Sequence, residues 1–227
     1  PRQRAARPFL TQNITPENLF NELYEQSQGV ILGESHSQLS AKKILITQMG
    51  AIKNNDVGVI FLEHLQTDVH QGMLDDFFTT QKMPSELDVF LKAQDAGHQI
   101  NPLSEYTYSR LVREAIHHRI PIKALDCVAS YHVNGMRTRY PDVNRTEMFN
   151  YFATQVIRGH LAQNPHQKWI ALTGNSHINT YQGVPGLAEL EGAIGISLSD
   201  ATPGHGLGLL QDLAVIVPPT VWHPGHI

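Results

Sequence analysis

The apolar runs of this chain stay apolar to their last residue and then turn ionisable within one or two positions. That pattern restricts the fold more than any other feature. Val30-Ile31-Leu32 leads into Gly33-Glu34-Ser35-His36, Val57 to Leu62 into Glu63-His64, Ile120 to Leu125 into Asp126-Cys127, and Trp169 to Thr173 into Gly174-Asn175-Ser176-His177. A strand with one wet face would alternate polar and apolar residues. Continuous Val/Ile/Leu runs belong to strands buried on both faces, as in a parallel sheet covered by helices.

Helical signals fill the intervals. Thr15-Pro16-Glu17 caps a helix carrying Leu19, Phe20 and Leu23, and a second helix runs from about Ser40 to Asn54-Asn55-Asp56. Met73 to Phe78 and Pro84 to Leu91 are short helical stretches, the latter stopped by Gly97. Ser104-Glu105 opens another, and a long one extends from about Arg145 to Leu161 before Pro165. Two later strand candidates are Ala193 to Leu198 and Leu213 to Val217. The expected fold class is α/β, a central mostly parallel sheet with helices on both faces and a site at the strand carboxyl ends. The expected organisation is one domain over residues 1–227, with a helical lead-in at 1–28 and a helical excursion over the site at 65–103.

Composition excludes some functions. A net charge of −4 with scattered Lys and Arg gives no field for holding phosphate backbones, so nucleic acid is not an expected partner. The single cysteine, Cys127, excludes an internal disulfide. No apolar stretch reaches bilayer length, and Pro1-Arg2-Gln3-Arg4 opens no signal peptide, so the chain reads as a segment of something larger.

The strand ends carry the chemistry. The word Gly-x-x-His occurs after both the first and the fourth strand; glycine lets the chain turn sharply out of the strand, and the histidine three residues on can face the crevice above it. Histidine beside a carboxylate is suited to general acid/base work near neutral pH. The expected catalytic set is therefore Glu34, His36, Glu63 and His177, with Asp126 and Asn175 in support. The same His36, His177, Glu34 and Glu63 would also be a sufficient ligand set for a divalent metal, the one candidate cofactor. Taken singly, each histidine could instead cap a sheet edge. Since His64 directly follows Glu63, one of the two should point away from the crevice, and His64 is read as structural. Cys127 is the alternative nucleophile, with a strand-end histidine as its base.

These residues resemble a family. Gly33-Glu34-Ser35-His36, Phe61-Leu62-Glu63-His64, Ile122 to Asp126 and Gly174-Asn175-Ser176-His177 are similar to the corresponding segments of the superfamily that holds the Tiki proteases, the TraB/PrgY proteins, the erythromycin esterases and the ChaN-type haem-uptake proteins. The likeness runs from about Gly29 to Leu198. It implies essential roles for His36 and His177, with Glu34 and Glu63 as acidic partners. Asn175 departs from the pattern, where a second acid would complete a symmetric metal shell. A toxin branch occurs as effector modules inside large RTX-type (MARTX) toxins, and this chain is similar to such a module. The resemblance implies a hydrolase acting on a peptide or ester bond of a host-cell protein or small molecule. It also implies secretion within a larger toxin, neighbouring toxin domains, and action in the host cytosol. The alternatives are a cysteine protease using Cys127 and a non-catalytic module binding haem or a host protein.

Overall fold

The computed structural model describes residues 10, 14–133, 141–200, 209–210 and 213–216. In chain order these form α1 (Pro16–Gln26), β1 (Gly29–Glu34), α2 (Ser40–Thr47), α3 (Met49–Asn54), β2 (Val57–Gln66), α4 (Thr67–Thr80), α5 (Ser85–Gly97) and α6 (Tyr108–His117). There follow β3 (Ile122–Asp126), α7 (Val128–Val133), α8 (Pro141–Gln163), β4 (Lys168–Gly174), a 3-10 turn (Asn175–His177), α9 (Leu187–Glu191), β5 (Ile194–Asp200), β6 (Leu209–Leu210) and β7 (Leu213–Ile216). The sheet has seven strands in the order β3-β2-β4-β1-β5-β7-β6. The strands from β3 to β5 in that order pair in parallel, and β7 and β6 continue it antiparallel. The expected α/β class with a mostly parallel sheet is the fold observed.

Both faces of the sheet are covered, which is why its strands are apolar throughout. Val30, Leu32, Ile60, Leu62, Ile170, Leu172 and Ile196 enter one core with Leu19 and Leu23 of α1, Ile44 and Leu45 of α2, and Leu111 and Val112 of α6. Ile31, Val59, Phe61, Trp169 and Ala171 enter the other, against Phe149, Ala153 and Ile157 of α8 and Leu187 and Ala188 of α9. The strand period of two assigns the polar ends to faces. Glu34 follows Leu32, and His64 follows Leu62, toward the α2–α6 face; Glu63 follows Phe61 toward the α8 face. β4 lies between β1 and β2, and its register sets Gly174 opposite Glu34. Three strand ends therefore converge.

Several boundaries differ from the sequence reading. β2 does not close at Glu63-His64; its register against β3 shifts between Leu62 and Gln66, and this irregularity carries the strand on to Gln66. The helix expected from Ser104 begins at Tyr108, where the Thr107 hydroxyl accepts the Arg110 N–H as a cap. The helix from Ser40 is interrupted at Gln48, and α8 starts at Pro141. Residues 1–9 of the lead-in, the Gly135 loop and the segment holding His205 lie outside the described residues, as do His223 and His226.

The glycines of the paired words are not left-handed: the positive-φ glycines described are Gly183 and Gly192. They are glycines for space. A methyl on Gly33 would fall 2.6 Å from Asn175 Oδ1 and collide with the buried Ile178 side chain. Gly33→Ala should therefore destabilise the fold by about 1–3 kcal/mol through overpacking, read as a lower urea unfolding midpoint. An unchanged midpoint would contradict this packing.

Candidate active site

On the α2–α6 face, Glu34 is the centre of a buried polar knot. Its Oε2 accepts a 2.9 Å hydrogen bond from Lys42 Nζ, and its Oε1 accepts one from the Tyr108 hydroxyl. Oε1 also lies 3.2 Å from His64 Nε2 and 3.4 Å from His36 Nδ1. His64 Nε2 in turn stands 3.0 Å from His36 Nδ1 and 2.8 Å from the Tyr108 hydroxyl. Lys42 is 0% exposed and its ammonium lies 4.6 Å over the Tyr108 ring, a cation–π contact that adds to the ion pair. A buried charge is tolerable only when paired and hydrogen-bonded, and here each partner supplies the other's solvation. His36 alone reaches outward, its side chain 40% exposed and its ring stacked on His98 at 4.7 Å.

On the α8 face the second pair forms. Glu63 Oε2 accepts the Gly174 N–H at 2.5 Å, and Oε1 stands 3.4 Å from His177 Nε2. The other edge of that imidazole is fixed: Asn150 Nδ2 donates to the Pro185 carbonyl, which leaves Asn150 Oδ1 to accept from His177 Nδ1 at 2.8 Å. Phe149 packs against the His177 ring at 4.2 Å. The pairs meet at Gly174: a Cβ built there would lie 3.3 Å from His36 Nε2 and 3.5 Å from Glu63 Oε2. Thus His36 gives Nδ1 to the buried knot and turns Nε2 toward Gly174 and the second pair.

The electrostatics follow from this arrangement. Burial would push the Glu34 carboxyl up, but hydrogen bonds to His36 and His64 and the charges of His64 and Lys42 hold it below the usual carboxylate range. Glu63 is held low in the same way: burial opposes, and the charge and hydrogen bond of His177, with His64 and the Gly174 N–H, prevail. His36 is raised, chiefly by its contact with Glu34 and against its partial burial, with the charge of Glu63 adding to the effect. His98 is lowered to about 4 by burial and by the charges of His64 and His36.

Glu34, His36, Glu63 and His177 thus all stand at the carboxyl edge, divided into two pairs on the two faces of the sheet. His64, read as structural because it alternates with Glu63, is in the knot: alternation sends it to the face opposite Glu63, where it meets Glu34, His36 and Tyr108. Asp126, expected in support, is held by partners of its own. It is fully buried and takes hydrogen bonds from Cys127 N at 2.8 Å, the Ser130 hydroxyl and Arg145 Nη2 at 2.7 Å, fastening β3 to α7 and α8. Asn175 Oδ1 accepts from the Ser197 hydroxyl at 2.6 Å, tying the turn to β5. Cys127 is 8% exposed, and among the described residues its thiol forms no hydrogen bond with a histidine. The sequence reading passes over Lys42, His98, Tyr108 and Asn150. Only Lys42 left a trace, as a lysine three residues before Leu45 on the apolar stripe of α2.

For a metal, the described residues bring His36 together with His64 and His98, whose ligand atoms lie within 4.8 Å of one another; His177 is not in this group. His36 Nδ1 and His64 Nε2 already face each other at hydrogen-bond distance, so a cation bound through them would replace that bond.

Fold and site together define an α/β domain with a histidine–carboxylate centre at the edge of a doubly covered sheet. The chain is similar to a multifunctional-autoprocessing repeats-in-toxin protein of Vibrio vulnificus, 29% identical over 165 residues, which are 72% of this chain and 3% of that protein. It also resembles the crystal structure of RRSP, a MARTX toxin effector domain from Vibrio vulnificus CMCP6, with TM-score 0.68 and 25% identity, over 89% of this chain and 37% of that one. The chain is thus a homologue of a MARTX toxin effector domain. Part of the crystallised Pasteurella multocida toxin, whose C-terminal region carries a thiol-protease-like catalytic triad, shares the fold at TM-score 0.65 and 15% identity, over 81% of this chain and 24% of that one. No family model matches the chain. Among the described residues no helix is long and apolar enough to cross a membrane.

The shifted groups set a pH profile of stability. Glu34 and Glu63 are held low, so their contribution is present above the ordinary 4.5 and is lost as pH falls through the folded values. His98 adds a loss between 6.5 and about 4. His36 is held high, so its contribution is complete below 6.5 and is lost as pH rises through its folded value. In melting curves recorded across this range, His36→Gln should remove the alkaline loss and retain an acid loss, since Lys42 and His64 still hold Glu34. An unaltered alkaline limb in His36→Gln would contradict the assignment.

Proposed function

We propose that this chain is a hydrolase-type effector domain of a larger bacterial toxin that acts inside host cells and cleaves a peptide or ester bond. The observation that supports this best is the orientation of His36. Its Nδ1 edge is held by Glu34 and His64, and its Nε2 edge is turned toward Gly174 and Glu63 on the exposed side of the knot. A histidine fixed through one nitrogen and open at the other is a general base. His36 Nε2 takes a proton from water, and the water oxygen bonds to the carbonyl carbon. The same proton then passes to the leaving nitrogen or oxygen as its bond to that carbon breaks. Glu63 lies across the gap, held by His177 and the Gly174 N–H, and its charge favours the imidazolium formed in the first step. Tyr108 and Lys42 are buried too deeply to touch substrate; they hold Glu34 in place.

The likeness to a MARTX effector domain supports the effector reading, and the strand-end site supports the hydrolase reading. Host-cell toxicity after cytosolic expression provides the assay. His36→Ala and Glu63→Gln should each lower activity by about 10²-fold or more, the usual worth of a positioned acid/base group. Cys127→Ser should retain it, because the thiol is buried. Melting curves of each variant separate lost chemistry from lost folding. Full toxicity in His36→Ala, or its loss in a well-folded Cys127→Ser, would overturn the proposal.

A further inference from the structure

Gly174 has a backbone that any residue could adopt, with φ −62° and ψ 151°. Its conformation gives no reason for glycine. Its surroundings do: the nearest atoms to a Cβ built there are His36 Cε1 at 3.2 Å, His36 Nε2 at 3.3 Å and Glu63 Oε2 at 3.5 Å. The missing side chain therefore opens a gap whose two walls are the outward nitrogen of one histidine–carboxylate pair and an oxygen of the other, with the Gly174 Cα as its floor. The contrast with Gly33 is direct. A methyl there meets first the buried Ile178 side chain, whereas the nearest atoms to a methyl at Gly174 belong to His36 and Glu63.

We propose that this gap is the seat of the hydrolytic water, held between His36 Nε2 and Glu63 Oε2 over the Gly174 Cα, and that residue 174 is glycine to keep the seat open. The chemistry assigned to the water rests on the hydrolase reading; its place does not. Water suits the walls, since the carboxylate oxygen accepts one of its protons and the imidazole nitrogen the other. In the reaction His36 Nε2 removes the proton it already holds by hydrogen bond, and the oxygen lone pair so freed forms the bond to carbon. A carbonyl oxygen would fit worse, because it would face the lone pairs of Glu63.

The test is Gly174→Ala, whose methyl fills the seat and whose backbone is unstrained. The His36 ring, 40% exposed, can yield the few tenths of an ångström required, so the melting temperature should be unchanged. Gly72→Ala is the control: on α4, its Cβ has nothing within 4 Å. High-resolution crystal structures of wild type should show one ordered water within hydrogen-bond distance of both His36 Nε2 and Glu63 Oε2, displaced in Gly174→Ala. Toxicity and hydrolysis of p-nitrophenyl acetate should fall about a hundredfold in Gly174→Ala, the cost of a misplacement of about an ångström, and stay at the wild-type level in Gly72→Ala. No bridging water in wild type, or full activity in a folded Gly174→Ala, overturns the proposal. If wild type holds the water, loses it in Gly174→Ala and yet hydrolyses nothing, the hydrolase reading fails while the seat stands.

Discussion

The parallel insertion of β4 between β1 and β2 is the constraint on which the site depends. β1 and β2 are separated in the sheet by a full strand, so their terminal carboxylates would not meet around one point by themselves. β4 pairs with both, Leu172 lying opposite Leu32 on one side and Leu62 on the other. This register sets Gly174 beside Glu34 and brings Glu63 within hydrogen-bond distance of the Gly174 N–H. The apolar contacts that fix it are those of the two cores, and a slip of one residue would send every strand side chain to the wrong face. The precision of the site is therefore inherited from hydrophobic packing.

Around that register the chain compensates its buried charges locally. Glu34 would be prohibitively costly alone, but Lys42 is delivered to it by the helix that directly follows β1, and Tyr108 by the first turn of α6. The Glu63 carboxylate is met by a backbone N–H and by His177. Two carboxylates thus stand in a poorly solvated place, each hydrogen-bonded on its own face and linked to the other through the charges of His36 and His64. The division lets both carboxyls be held below the usual range, where two carboxylates in direct contact would be driven to share a proton. It also separates duties: the inner groups are locked, and His36 is the member left in contact with solvent.

The likeness to a MARTX effector domain fits a scaffold in which edge residues can vary while the sheet is kept. In the present chain the thiol at the end of β3 is buried beside a structural aspartate. In a sheet of this kind the loops that follow the strands choose which side chains stand above its edge.

The sequence by itself determined the strands, their parallel arrangement and the level at which polar groups collect, because continuous apolar runs with ionisable ends admit few other folds. Glu34, His36, Glu63 and His177 were legible for the same reason, each standing at a strand end. Tertiary structure alone decided what each one touches. Lys42 and Tyr108 reach Glu34 from helices distant in sequence from one another, and His98 and Asn150 arrive from elements whose local pattern is ordinary. Alternation tells which face His64 takes, opposite to Glu63, but not that it meets Glu34, His36 and Tyr108 there. Asp126 and Gly174 make the same point. One ends β3 and is bonded to α7 and α8; the other ends β4 and stands against His36 and Glu63. Such roles depend on atoms brought together by folding, and local spacing carries no record of them.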